Sequence, residues 1–127
     1  MNRTLATLAA LVAIGSFAQA AAPASPSGCF FVSQSWTWKA PDTHTMYVKV
    51  NSGQYFRLDM ASRCPTLVRP EAQLVTTFRF PSVCGALDWD LKVKDGPHSP
   101  AVPCIVNNMT RLTPTEVANM PAAFKPH

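Results

Sequence analysis

The sequence predicts a mainly β fold: a small antiparallel six-stranded curled sheet or barrel with a short C-terminal helix, stapled by disulfides. Three observations carry this expectation. Residues 45–60 hold two runs of period-two alternation joined by a Gly-containing link. Short β-rich segments recur along the rest of the chain, separated by breaks that contain proline. Four cysteines lie behind an export leader.

In the first run Met46, Val48 and Val50 alternate with Tyr47 and Lys49. In the second Phe56, Leu58 and Met60 alternate with Tyr55, Arg57 and Asp59. Such runs joined by a polar link read as a β-hairpin. A two-residue loop, Ser52-Gly53, would set Lys49 opposite Phe56 and mix the two faces. A three-residue loop, Asn51-Ser52-Gly53, sets Val48 opposite Phe56, Met46 opposite Leu58, Lys49 opposite Tyr55 and Tyr47 opposite Arg57. A one-residue slip turns every apolar side chain to the wrong face, which selects the three-residue register. The third loop position needs a left-handed backbone, and Gly53 supplies it without a Cβ penalty.

The 127 residues amount to one domain, and part of that length is leader. Asn2-Arg3 is a positive start, Leu5 to Phe17 is an Ala/Leu-rich apolar run, and Ala18-Gln19-Ala20 is a small-x-small cleavage site. Residues 1–20 therefore read as a secretory signal peptide. A membrane anchor would need about 20 strongly apolar residues. A lipoprotein would need a cysteine directly behind the run, whereas Cys29 lies well downstream. Residues 21–28 carry two prolines and no apolar periodicity, and read as a flexible tether. A single β-rich domain is expected over 29–120 and a frayed tail over 121–127. The mature chain is expected in the periplasm or secreted, without a membrane span. Its formal charge falls from +4 to +3 when Arg3 leaves with the leader, and the charges are interspersed. That balance suits an envelope protein or an anionic surface ligand, and no basic block marks a nucleic-acid binder.

The remaining strands follow in order. Cys29 to Lys39 is β-rich, with Trp36 and Trp38 on one face, and Ala40 to His44 is a turn. Pro65 breaks the chain after the hairpin, and residues 66–72 read as loop or a short helical turn. Leu74 to Phe80 is a strand ended by Pro81. In Leu87 to Lys94, Leu87, Trp89, Leu91 and Val93 share the covered face and Asp88, Asp90, Lys92 and Lys94 the wet one. A proline-rich turn precedes the last strand, Val102 to Leu112. Thr113 then caps a short helix, with Pro114 at its first position and Glu116 completing a capping box, and the helix stops before Pro121.

Cys29, Cys64, Cys84 and Cys104 in an exported chain imply two disulfides. Spacings of 35, 20 and 20 lack the short pairs of a zinc site. Three pairings are possible, and Cys29–Cys104 with Cys64–Cys84 is the expected one. Cys29 and Cys104 open the first and last strands, which meet if the sheet curls closed. The second bridge would pin the strand between Cys64 and Cys84.

Landmarks recur along the mature chain: Cys29-Phe, Trp38-Lys-Ala-Pro-Asp42, Met46-Tyr-Val, Tyr55-x-x-Leu58, Cys64-Pro-x-Leu67, Cys84-x-x-x-Asp88, Cys104-x-Val and Thr110-Arg-Leu-Thr113. In this order the chain resembles a family of small exported proteobacterial proteins catalogued as a domain of unknown function. The resemblance implies a periplasmic, disulfide-bonded protein and brings no activity and no catalytic residue. Pro81 and the Pro97-to-Pro103 segment are richer in proline than that pattern.

Candidate chemistry is sparse. His44, His98 and His127 lie in loops or the tail, near Asp42 and Asp95 but without metal-ligand spacing, so no metal or cofactor is expected. Asp88 and Asp90 share a strand face. Paired carboxylates can do acid/base work or hold a cation, which makes a metal-dependent hydrolase using Asp88 and Asp90 one alternative. The simpler reading is the wet side of an amphipathic strand, with Asp88 bonding turn backbone near Cys84. No G-x-S-x-G occurs, and two disulfides leave no cysteine as nucleophile. The sequon at Asn108 is idle in a bacterial protein, which the resemblance implies. Trp36, Trp38 and Trp89 read as core. Tyr47, Lys49, Tyr55 and Arg57 remain, on the hairpin face away from Val48 and Phe56. Tyrosine and arginine are residue types that dominate binding hot spots. The expected function is a non-enzymatic binding or interaction module working through that face. A second alternative is a small inhibitor of an envelope-directed enzyme, plugging a cleft with its Asp95-to-Pro103 loop.

Overall fold

A computed structural model describes residues 28–51 and 53–127. The leader expected over 1–20, and all of the tether except Gly28, lie outside the described residues. The described chain is mainly β. Its strands are β1 (Phe30–Phe31), β2 (Trp36–Lys39), β3 (Thr45–Val50), β4 (Tyr55–Met60), β5 (Ala72–Thr77), β6 (Ser82–Val83), β7 (Asp90–Asp95), β8 (Val102–Pro103) and β9 (Val106–Arg111), followed by helix α1 (Pro114–Asn119). Six of these strands have four to six residues, and they correspond to the six strands predicted.

The β3–β4 hairpin has the predicted register. Val48 faces Phe56, Met46 faces Leu58, Tyr47 faces Arg57 and Lys49 faces Tyr55. Gly53 has φ +89° and donates its N–H to the Val50 carbonyl at 2.8 Å, so the loop closes as its glycine allows. β2 and β9 flank the hairpin, giving the order β2-β3-β4-β9. A second sheet runs β5-β7-β8, and β1 pairs with β6 in a separate ribbon.

Residues 102–111 join the two larger sheets. β8 pairs with β7, β9 pairs with β4, and the chain switches partner at Cys104 and Ile105. There the Cys104 N–H donates to Leu91 O at 2.9 Å and the Ala61 N–H donates to Ile105 O at 2.8 Å. The result is one curled surface around a single core. Met46, Val48, Val50, Phe56, Leu58, Val83 and Val93 are fully buried in it. Trp89 sits at its aromatic centre, 5.2 Å from the Phe78 ring, 5.8 Å from Trp36 and 6.0 Å from Phe30, with Nε1–H aimed at Met109 Sδ. Edge-on and tilted rings at these distances are the favoured aromatic arrangements.

The disulfides differ from the expected pairing. They join Cys29 to Cys84 and Cys64 to Cys104, rather than Cys29 to Cys104 and Cys64 to Cys84. The reason is strand order. The first strand lies beside β6, not beside the last strand. Phe30 faces Val83, which brings Cys29 to Cys84 with 4.1 Å between their Cα atoms. Cys64, just past β4, reaches Cys104, just before β9, because those strands are neighbours.

Three local expectations also shift. The segment 29–39 is two strands, broken by a turn at Val32 to Ser35 that frees β1 to pair with β6. β5 runs Ala72–Thr77, starting earlier than Leu74. β7 starts at Asp90, because Ala86–Asp88 winds into a 3-10 turn that leaves Leu87 97% exposed, although Trp89, Leu91 and Val93 do turn inward. The Asp88 carboxylate stabilises that turn by accepting the Cys84 and Gly85 N–H groups at 2.8 and 3.1 Å. At the C-terminus the capping box forms as read: Thr113 Oγ1 accepts the Glu116 N–H, and Glu116 Oε1 accepts the Thr113 N–H. The tail expected to fray lies along β2. Thr37 Oγ1 donates to the His127 carbonyl at 2.6 Å, and Lys39 Nζ donates to the Ala123 carbonyl at 3.2 Å.

Candidate functional site

The hairpin face singled out from sequence is assembled by strand register. Tyr47 and Lys49 point outward from β3, and Tyr55 and Arg57 do so from β4, because their neighbours are consumed by the core. All four side chains are half-buried. Lys49 Nζ stands 5.8 Å from the Tyr55 ring centre, a cation–π contact across the strands. Arg57 Nε lies 3.4 Å from Asp59 Oδ1, an ion pair without hydrogen-bond alignment, and that Nε is buried without a hydrogen-bond partner.

What covers this face comes from the far end of the chain. The Leu112 N–H donates to the Tyr55 carbonyl at 2.8 Å and starts the C-terminal segment across the sheet. Helix α1 then stands over the hairpin with a cleft on each flank. One cleft, of about 340 Å³, is lined by Tyr47, Arg57, Glu116, Asn119 and Met120 among others. The other, of about 420 Å³, includes Tyr55, Arg111, Pro114 and Val117 in its lining. Lys49 lines a third, smaller hollow of about 190 Å³ with Trp36 and His127. The four predicted residues therefore form one face and open into three adjacent hollows. Sequence reasoning missed Glu116, Asn119 and Met120. Their only signal was a capped helix of known start and unknown docking place.

The other candidates do not converge. The Asp88 carboxylate is engaged by two backbone amides, and Asp90 is exposed on β7. His44 N–H donates to Asp42 Oδ1 within its own turn, His98 sits in the 96–101 loop, and His127 is the terminal residue. Among the described residues no three His, Cys, Asp or Glu side chains gather as a metal site, and no helix is long and apolar enough to cross a membrane. Trp36, Trp38 and Trp89 pack on the core.

No family model, curated protein or solved structure matches this chain.

Proposed function

We propose that this protein is an exported, non-enzymatic interaction module that binds a partner protein through the outer hairpin face. The observation that carries the reading is the cleft of about 340 Å³ where Tyr47 and Arg57 meet α1, with the Arg57 side chain 41% exposed beside it. Arg57 Nε faces Asp59, and the exposed part of the guanidinium is left to bond an acceptor on a partner. Tyr47 adds a rigid aromatic wall, and Met120 adds an apolar floor that adapts to shape. Asp59 and Glu116 stand near Arg57, so the face is of mixed charge. Mixed charge suits a protein surface better than a uniformly anionic one.

Two disulfides support placing the module in an oxidising compartment, the periplasm or outside the cell. The likeness to small exported proteobacterial proteins is in keeping with that compartment. Affinity capture from envelope extract tests the reading, with wild type beside the Tyr47→Ala, Arg57→Ala double variant. A folded double variant that loses a wild-type partner supports it. A folded variant that keeps every partner puts the contact elsewhere, and a wild-type protein that captures nothing removes the reading.

A further inference from the structure

We infer that the Cys29–Cys84 bridge is a site of thiol–disulfide exchange, reduced in the folded protein by a dithiol, while Cys64–Cys104 stays closed. The two bridges have opposite surroundings. Cys64 and Cys104 are 4% and 3% exposed and belong to the core. Their N–H groups donate to Thr43 O at 2.8 Å and Leu91 O at 2.9 Å, so the backbone on both sides of that bridge is held as well. Cys29 and Cys84 are both exposed. A reductant can approach them from solvent without any opening of the fold.

Strand register accounts for the difference. Phe30 faces Val83 across the β1–β6 ribbon, and both are buried, at 1% and 0% exposure. Side chains alternate along a strand, which turns the flanking Cys29 and Cys84 to the outer side. Phe31, on that same side, is 60% exposed, and Leu87, three residues past Cys84, is 97% exposed. No charged residue occurs from Gly28 to Trp38 or from Phe80 to Leu87, so neither strand repels an incoming thiolate. The carboxylate that follows, on Asp88, is bonded to the Cys84 and Gly85 amides.

The exchange runs in two steps. A thiolate of the dithiol attacks one sulfur of the bridge. A new S–S bond forms as the Sγ–Sγ bond breaks, and the other cysteine leaves as a thiolate. The second thiolate of the reductant then attacks the reductant's own sulfur in the mixed disulfide. That frees the remaining cysteine and closes the reductant as a disulfide. Two electrons pass to the bridge, and the two protons lost by the dithiol end on Cys29 and Cys84. Access of the thiolate to the bridge governs the rate.

The structural consequence is local. β1 and β6 pair only through Phe30–Val83 and Phe31–Ser82, with the Val32 N–H donating to Pro81 O at 2.9 Å beyond them. The ribbon forms no ladder with either larger sheet. The bridge latches one end of it, and after reduction the burial of Phe30 and Val83 and a few hydrogen bonds are what hold it. Such a unit opens more often than the sheets that Cys64–Cys104 ties together.

Timed reduction tests this. The oxidised protein is treated with dithiothreitol in native buffer, and samples are alkylated and mapped. Cys29 and Cys84 should be labelled at least about tenfold faster than Cys64 and Cys104. In guanidinium chloride the two rates should converge, because the fold no longer shields either bridge. Protein reduced only at Cys29–Cys84 should keep its near-UV circular dichroism, and its Val32 amide should exchange at least about tenfold faster than in the oxidised protein. A native ratio under tenfold overturns the inference, and so does a ratio that persists in denaturant. Loss of the near-UV signal on reducing this bridge alone also overturns it, since the bridge would then hold the whole fold. Unchanged exchange at Val32 overturns the latch.

Discussion

On the inner side of the hairpin, Met46, Val48, Val50, Phe56 and Leu58 are all fully buried; on the outer side, Tyr47, Lys49, Tyr55 and Arg57 are all half-buried. The same two strands carry both sets, one residue apart. The inner side is closed by apolar area and shape, which are unforgiving of change. The outer side is covered by a helix and a tail held by a few polar contacts, and it keeps clefts open on both flanks of α1. The inner face of the hairpin serves the fold, and the outer face is the one to which the proposed function assigns binding. Changes on the two sides should accordingly fall in different energy ranges.

The largest effect is expected from the inner side. Phe56→Ala removes a ring that is 0% exposed and packs 5.5 Å from Phe30. It should cost about 3–5 kcal/mol, measured by urea unfolding of the oxidised protein. A cost under about 1 kcal/mol would mean that this side is not the core. Close behind comes the Cys64–Cys104 bridge, which holds the exit of β4 against the entry of β9 across a separation of 40 residues. Removing it as Cys64→Ala, Cys104→Ala should cost about 4 kcal/mol on a chain-entropy account. Non-reducing peptide mapping must first find Cys29 joined to Cys84, and a Cys29–Cys104 peptide would refute the strand order itself.

The same contrast separates what the sequence made legible from what it did not. The hairpin could be read to single residues because alternation, loop length and Gly53 all constrain one register. The capping box at Thr113 and the Asp88 bond to turn backbone were legible for a similar reason: each spans three or four residues. The disulfide pairing was not, because it depends on β1 choosing β6, more than fifty residues away. Proximity in the strand list is a poor guide when a turn at Val32 to Ser35 redirects the first strand. Leu87 misled through its own regular spacing: alternation placed it inside, and the side-chain bonds of Asp88 overrode it. The face of the candidate site was legible, but its cover was not. Nothing in residues 112–127 by themselves says which sheet they cross.

An intermediate effect is expected where the two sides meet, at the start of α1. Thr113→Ala removes the hydroxyl that accepts the Glu116 N–H at 3.2 Å and breaks the box with Glu116. Loss of such a cap costs about 1 kcal/mol. Amide hydrogen exchange should show faster opening at Glu116 and Val117 while the β3 and β4 amides keep their protection. Equal acceleration in both would mean that the cover and the scaffold unfold as one unit, and the distinction drawn between them would fail.

The smallest effect on stability is expected at the centre of the outer face. Arg57→Ala deletes the ion pair with Asp59, whose side chains are 41% and 35% exposed. Pairs that open to solvent contribute about 0.2–1 kcal/mol, less at high salt. The substitution also removes a buried N–H that lacks a hydrogen bond, which offsets part of that loss. The net change in unfolding free energy should therefore stay within about 0.5 kcal/mol. If the cleft beside α1 is the contact, partner capture should fall at least tenfold for the same variant, since arginine at the centre of an interface commonly contributes about 2 kcal/mol or more. Unfolding and capture measured on one preparation then decide the matter. A stable variant with impaired capture assigns Arg57 to binding. A destabilised variant assigns it to the fold and joins the two sides of the hairpin, and a stable variant with unchanged capture moves the contact off this face.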